Sequence, residues 1–128
     1  MYLRFVTDHQ HYYSLLREGI FSAAYRIRRS GHSNLYLQDA LDDILDWYGD
    51  YLKVPVCLKR RTRFGACSKS LSWFKDSAGL PLERAWELAF LVEDHGVRVS
   101  VIKTRHPGQI IYQDRHQIVA NAEKGGPA

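Results

Sequence analysis

The sequence predicts an α+β fold: a single domain with a mixed or antiparallel sheet and about three helices covering one face. Apolar residues recur at helical spacing in three segments. Short alternating or β-branched segments occur at both ends of the chain, and these are typical of strands. The predicted order is β-α-α-(β)-β-α-β-β-β, so strands from both ends of the chain share one sheet.

Length and composition are those of one globular domain. The 128 residues are 45% hydrophobic and 25% charged, enough to bury a core without a metal or a disulfide. We assign residues 1–122 to the domain and residues 123–128, which contain Gly and Pro, to a flexible tail. Without a signal-like segment or a membrane-length apolar run, we expect a cytoplasmic protein that does not contact a membrane.

The first half of the chain predicts one strand and two helices. Residues 2–7 alternate as a strand does. The first helix begins near Tyr12 or near Gly19 and ends at Ser30, before a Gly31 suited to the left-handed conformation. Its predicted buried stripe consists of Ile20, Ala23, Ala24 and Ile27.

The second helix has the clearest pattern in the chain. It begins after Ser33-Asn34, both good capping residues, and Pro55 closes it. One face is predicted to be apolar, with Leu37, Leu41, Ile44, Leu45, Tyr48 and Leu52, and the opposite face carries Asp39, Asp42, Asp43, Asp46 and Asp50.

The second half predicts a third helix among strands. That helix runs from Pro81 to His95, with Leu82, Ala85, Ala89 and Val92 buried, Trp86 alongside, and Gly96 as its stop. The remaining segments are a short strand at 56–58, a loop at 60–69, strands at 71–75 and 97–102, a turn at 104–108, and a hairpin with strands 109–112 and 117–120 joined by residues 113–116.

A basic segment suggests nucleic-acid binding as one function. Residues 53–75 carry seven positive charges and no acid, and Phe64 and Trp73 lie among them. Cations that meet phosphates and aromatic rings that stack on bases are what such binding requires. The alternative is a solvated loop, and no helix-turn-helix, RRM or zinc-finger pattern supports nucleic acid. The candidate residues are Lys59, Arg60, Arg61, Arg63 and Lys69.

A second candidate site surrounds the C-terminal hairpin. If the outer strands share a sheet, several polar side chains converge in a way that suits a small anionic or nucleotide-like ligand. The alternative is structural: Asp114 caps the hairpin turn and Arg4 pairs with it. The ligand-binding candidates are Arg4, Trp73, Lys75, Arg105, Tyr112, Asp114 and Gln117.

Motifs for other chemistry are missing from the sequence. There is no nucleophile elbow, phosphate loop or dinucleotide-binding glycine pattern. His9-x-His11 lacks further ligands at supporting spacing, and Cys57 and Cys67 are too far apart for a CxxC pair, so we expect reduced thiols, no metal and no cofactor.

Two motifs stand out in the second half of the chain: Ser72-Trp73-Phe74-Lys75 and the hairpin pattern PGxIxYxDxxQIVA that begins at Pro107. With these motifs the chain resembles a family of small uncharacterised bacterial proteins. The resemblance covers nearly the whole chain but implies no activity. Members usually carry Glu at the position of Gln113 and a Glu-Pro-Phe-like end at 121–123; if that Glu is catalytic, this protein lacks the activity.

The hairpin alone is similar to the strand pair that follows the catalytic Glu in poly-ADP-ribose polymerases. That resemblance implies an NAD- or nucleotide-dependent transferase of ADP-ribosyltransferase-like type. In this chain Gly108 and Gln109 occupy the place of the Glu, which counts against the transfer of ADP-ribose.

The function we favour from the sequence is a non-catalytic binding or protein-interaction module. It rests on the missing catalytic motifs, the many aromatic residues and a charge division between the acidic second helix and the basic segment 53–75. That division also suggests self-association. The partner is an unknown protein or a small anionic ligand, with nucleic-acid binding and ADP-ribosyl transfer as alternatives.

Overall fold

A computed structural model describes residues 1–10, 17–31, 35–52 and 70–121. The strands are β1 (Tyr2–Gln10), β2 (Arg17–Gly19), β3 (Ser70–Lys75), β4 (Val99–Thr104), β5 (Gln109–Gln113) and β6 (Gln117–Asn121). The helices are α1 (Ile20–Ser30), α2 (Leu35–Tyr51) and α3 (Leu80–Asp94). The α+β fold class is confirmed.

The strands form one antiparallel sheet in which β1 is central. On one side β1 pairs with β4 over Tyr2–Thr7. On the other side, the start of β1 pairs with β3 and its later part pairs with β2. The register between β1 and β2 shifts between Val6 and Gln10. The sheet continues from β3 to β6 and then to β5, so β4 and β5 lie at opposite edges.

The three helices cover one face of this sheet, as predicted. Their buried residues form a core with Phe5 of β1 and Phe74 of β3, and Val99 and Val101 pack against it. The predicted stripe of α1 is buried at all four positions, and Gly31 has a φ of 67°. The Tyr48 hydroxyl donates a 2.6 Å hydrogen bond to the carbonyl of Pro81, which ties α2 to the start of α3.

The opposite face of the sheet carries a second apolar cluster. It consists of Leu71, Trp73, Ile118 and Ala120, none more than 5% exposed, with Tyr2 and Ile102 packed against it. Trp73 lies directly across from Ile118, and Leu71 across from Ala120. No residue of the described helices belongs to this cluster, so the sheet is apolar on both faces.

Several boundaries differ from those predicted. Of the two starts predicted for the first helix, the one near Gly19 is confirmed, because residues 17–19 form β2 and α1 begins at Ile20. The first strand extends to Gln10, and the strand predicted at 97–102 pairs with β1 over Val99–Thr104. Leu88 joins Ala85, Ala89 and Val92 in the buried stripe of α3, whereas the predicted Leu82 is only partly buried. Trp86 is 43% exposed. The strand predicted at 56–58, the loop at 60–69, the Ser33-Asn34 cap and the tail at 123–128 lie outside the described residues.

Candidate functional site

The hairpin turn brings together three of the predicted site residues around one carboxylate. Asp114 accepts hydrogen bonds from the Tyr112 hydroxyl at 2.8 Å and from the Gln117 side-chain amide at 3.1 Å. It also accepts bonds from the backbone N–H groups of His116 and Gln117. Asp114 therefore caps the turn, which is the structural role that the sequence offers as an alternative to a ligand site.

The same contacts explain the ionisation of Asp114. Burial alone raises the pKa of the carboxyl, but the His116 N–H, the Tyr112 hydroxyl and the two Gln117 donors outweigh it and lower the pKa below its ordinary value. The group is a carboxylate at neutral pH, with its oxygens directed into its own turn. Its role in binding a ligand stays a prediction.

Replacing Asp114 by alanine is expected to lower the free energy of unfolding by about 2 kcal/mol, because two backbone N–H groups and two side-chain donors lose their acceptor. Urea unfolding measures this. Arg115→Ala changes the exposed residue next to it and is expected to cost less than about 0.5 kcal/mol. Equal losses for the two variants would contradict the capping role.

A row of planar side chains connects this turn to the helices. The Arg84 guanidinium lies 5.4 Å from the ring centroid of Trp47, which stacks on Tyr51 at 4.6 Å. Tyr51 in turn lies 5.6 Å from the His116 ring. The row therefore fixes the hairpin turn against α2 and α3.

Arg4 does not reach the hairpin turn. Its Nη2 donates a 3.1 Å hydrogen bond to the carbonyl of Arg17 in β2. A Cβ added at Gly19 would stand 3.1 Å from Arg4 Nη1, so glycine leaves room for the guanidinium. The predicted pairing of Arg4 with Asp114 is therefore wrong, because the guanidinium lies against Arg17 and Gly19 of β2 instead.

The other predicted residues have separate surroundings. Lys75 donates its backbone N–H to His116, which brings it beside the turn, and Arg105 is exposed beyond β4. Trp73 is 1% exposed and belongs to the second apolar cluster. Their roles in ligand binding stay predictions. The nucleic-acid candidates Lys59, Arg60, Arg61, Arg63 and Lys69 lie outside the described residues, as do Cys57 and Cys67.

An ion pair with a buried carboxylate is a feature that sequence reasoning missed. Arg26 of α1 donates from Nε and Nη2 to the two carboxylate oxygens of Glu18, each at 3.0 Å. The Thr7 hydroxyl donates a third bond of 3.0 Å, and the Glu18 side chain is 7% exposed. Burial raises the pKa of Glu18, but the Arg26 and Thr7 hydrogen bonds and the charges of Arg26 and His9 together lower it. No local spacing rule connects residues 18 and 26.

A second missed feature is an apolar surface where α3 lies beside β4. Trp86 and Phe90 of α3 are 43% and 65% exposed, and the Trp86 ring meets Phe5 edge-on at 5.0 Å. Phe5 of β1 pairs with Val101 of β4, so Trp86 lies near the edge of the sheet that β4 forms. We call Trp86, Phe90, Val99 and Val101 the α3–β4 flank.

In the described part of the chain, the backbone next to this flank has no strand partner along its outer side. Among the described strands β4 pairs with β1 alone, and its six residues match β1 without a bulge. The other edge, β5, has a register shift between Ile110 and Tyr112, and such a shift disfavours further pairing. The regular edge is therefore the one that adjoins the exposed aromatic residues.

Two further observations concern classes of site. In the part of the chain that the structure describes, no three His, Cys, Asp or Glu side chains are grouped to hold a metal ion. The described helices include none with the length and apolar character needed to cross a membrane.

Comparisons of the chain with family models, with curated proteins and with solved structures returned no match. The resemblance to the family of small bacterial proteins stays a prediction.

Proposed function

We propose that this protein is a protein-interaction module that binds an extended polypeptide segment at the α3–β4 flank. The observation that carries the proposal is the pair of exposed aromatic side chains beside a regular edge strand that has no second partner among the described strands. Contiguous exposed apolar patches mark interaction sites, and an edge strand offers unpaired N–H and C=O groups to an incoming strand.

The spacing on the two elements supports a strand as the ligand. Trp86 and Phe90 are four residues apart on α3, which is about 6 Å along a helix axis. Alternate residues of a strand that point to one face are about 6.6 Å apart. A strand added to β4 therefore places two side chains, at positions i and i+2, against the two aromatic rings.

The chemistry of the flank favours binding over turnover. Its members in β4 and α3 are Val99, Val101, Trp86 and Phe90, which supply apolar contact area and carry no acid, base or nucleophile. Tryptophan is among the residues that most often dominate the energy of protein interfaces. We infer that the flank recognises the backbone and two apolar side chains of its ligand.

Selection from a displayed library of short random peptides tests this function. Bound peptides are expected to carry apolar residues at i and i+2 and to slow amide hydrogen exchange in β4. Phe90→Ala is expected to weaken the binding of a selected peptide at least about tenfold, because it removes an exposed ring that the ligand covers.

Ile111→Ala is the matched control, since Ile111 is an exposed apolar residue on the opposite edge of the sheet and is 43% exposed. It should leave peptide binding unchanged. Peptides that bind equally well to the Phe90→Ala protein, or that protect β5 rather than β4, would overturn the proposal.

A further inference from the structure

The two ends of the α3–β4 flank carry opposite charges. Glu93 and Asp94 stand at the C-terminal end of α3, and both are exposed. Residues 95–98 connect that end directly to the start of β4, so the acids lie near Val99. Lys103 and Arg105, also exposed, lie at or beyond the far end of β4. Arg98, also exposed, lies in the same connection, so the two acids leave this end with one net negative charge, whereas the far end of the flank is basic.

A surface with this division of charge is complementary to itself. A twofold axis through the middle of β4 sets the strand antiparallel to its own copy, so the start of each β4 faces the end of the other. That arrangement places Glu93 and Asp94 of each chain near Lys103 and Arg105 of the other copy. It also runs the two α3 helices antiparallel on the same face, with Trp86 of one chain beside Phe90 of its copy.

We propose that the occupant of the α3–β4 flank is a second copy of this chain, so that two sheets join through antiparallel β4 strands into one. This inference rests on the proposed function of the flank and names its partner. It differs from the self-association expected from the sequence, in which the acidic α2 meets the basic segment 53–75.

The size of the contact requires both the strand and the helix. At 43% and 65% exposure, Trp86 and Phe90 together offer on the order of 200 Å² per copy. A stable interface buries about 800 Å² per partner. Trp86 and Phe90 supply about a quarter of that area. The strand pairing, with the side chains at both ends of β4, supplies the rest.

Sedimentation equilibrium of the full chain gives the first test. The wild-type protein is expected to be dimeric at micromolar concentration. Phe90→Ala is expected to weaken the dimer about a hundredfold or more, because a substitution at a twofold interface is present twice. Ile111→Ala, at the opposite edge, should leave the dimer unchanged. Circular dichroism checks that both variants are folded.

A charge exchange tests the orientation of the two copies. The variant E93K/D94K has two basic ends and the variant K103E/R105E has two acidic ends, so each is expected to dimerise at least about tenfold more weakly than the wild type. Mixed together, they are expected to form a heterodimer, because each basic end then meets an acidic end. Native mass spectrometry resolves the heterodimer from the two homodimers.

The outcomes of these experiments distinguish self-pairing from the proposed function on which it rests. A monomeric wild-type protein that still binds selected peptides at β4 would leave the proposed function standing and overturn self-pairing. A monomer that binds no peptide there would overturn both. A dimer that Phe90→Ala leaves intact, or charge variants that form no heterodimer, would show that the copies meet elsewhere and would also overturn self-pairing.

Discussion

Replacing Trp73 by alanine is expected to lower the free energy of unfolding by about 4 kcal/mol, the range found for a large aromatic residue removed from a core. Trp73 is 1% exposed and lies across from Ile118 in the cluster on the sheet face away from the helices. No described helix contributes to that cluster, so alanine leaves a cavity that none of these helices can close by a small shift. Chemical denaturation followed by circular dichroism measures the loss.

Two further variants separate packing from hydrogen bonding at this position. Trp73 Nε1 is buried without a hydrogen-bond partner in the part of the chain that the structure describes. Phenylalanine therefore loses contact area but no described hydrogen bond, and Trp73→Phe is expected to cost about 1–2 kcal/mol. Trp86→Ala removes a ring that is 43% exposed and is also expected to cost about 1–2 kcal/mol.

The pattern of losses tests whether the second cluster belongs to the cooperative core. A Trp73→Ala protein that loses less than about 1 kcal/mol would show that it does not. A Trp73→Phe protein as unstable as Trp73→Ala would show that the indole N–H is bonded in solution.

The helices were predictable because the information that fixes their faces is local. Burial of Ile20, Ala23, Ala24 and Ile27 follows from a repeat of three and four residues, and the stripe of α2 follows from the same rule. Gly31 and Gly96 ended the predicted helices correctly because a positive φ is a local property, here 67° and 83°.

The strands were less predictable because pairing fixes them. β2 has three residues, too few for an alternating pattern, and it is held by pairing with Val6 and Gln10 of β1. For β4 the alternation from Val97 to Val101 suggested an earlier start. The register that sets Phe5 opposite Val101 also pairs Lys103 and Thr104 with β1, so the strand runs later than its own sequence indicates.

The candidate sites also differ according to whether local sequence or long-range packing determines them. Asp114 and its partners lie within three residues of one another, and turn chemistry predicted its capping role. The sequence predicted that Trp86 lies beside a buried stripe. Periodicity does not show that α3 covers the sheet only as far as the edge formed by β4, where Trp86 is partly exposed. Glu18 and Arg26 meet only because β2 and α1 pack together, so neither residue was predicted.

Removing the partner of Glu18 is expected to reverse the way in which this carboxyl makes stability depend on pH. In the wild-type protein the folded state holds the pKa of Glu18 below its ordinary value of 4.5. The carboxylate therefore adds stability that is fully present above about that value and is lost as the pH falls through the lower pKa of the folded state.

Arg26→Ala takes away the two hydrogen bonds and the positive charge that oppose burial. The Glu18 side chain stays largely buried, so desolvation is expected to raise its pKa above the ordinary value. The folded state then binds the proton more tightly than the unfolded state. The contribution of Glu18 to stability is expected to increase as the pH is lowered from neutrality toward 4.5, the opposite sign to the wild type.

At neutral pH Arg26→Ala is expected to lower the free energy of unfolding by about 3 kcal/mol, because it leaves a buried carboxylate with one hydroxyl donor. Glu18→Gln keeps the shape of the side chain and leaves Arg26, which is 41% exposed, in contact with water. Glu18→Gln is expected to lower the free energy of unfolding by about 1–2 kcal/mol, since the group that accepts the hydrogen bonds of the guanidinium is then uncharged.

Urea unfolding of the wild type, Arg26→Ala and Glu18→Gln at a series of pH values isolates this carboxyl. Asp114, whose pKa is also lowered, titrates in all three proteins, so it cancels when each is compared with Glu18→Gln, in which residue 18 does not titrate. Relative to Glu18→Gln, the wild type should lose stability as the pH falls below 4.5. Relative to the same variant, Arg26→Ala should gain stability as the pH falls from neutrality to 4.5. Parallel curves for the three proteins would show that Glu18 and Arg26 are not paired in solution.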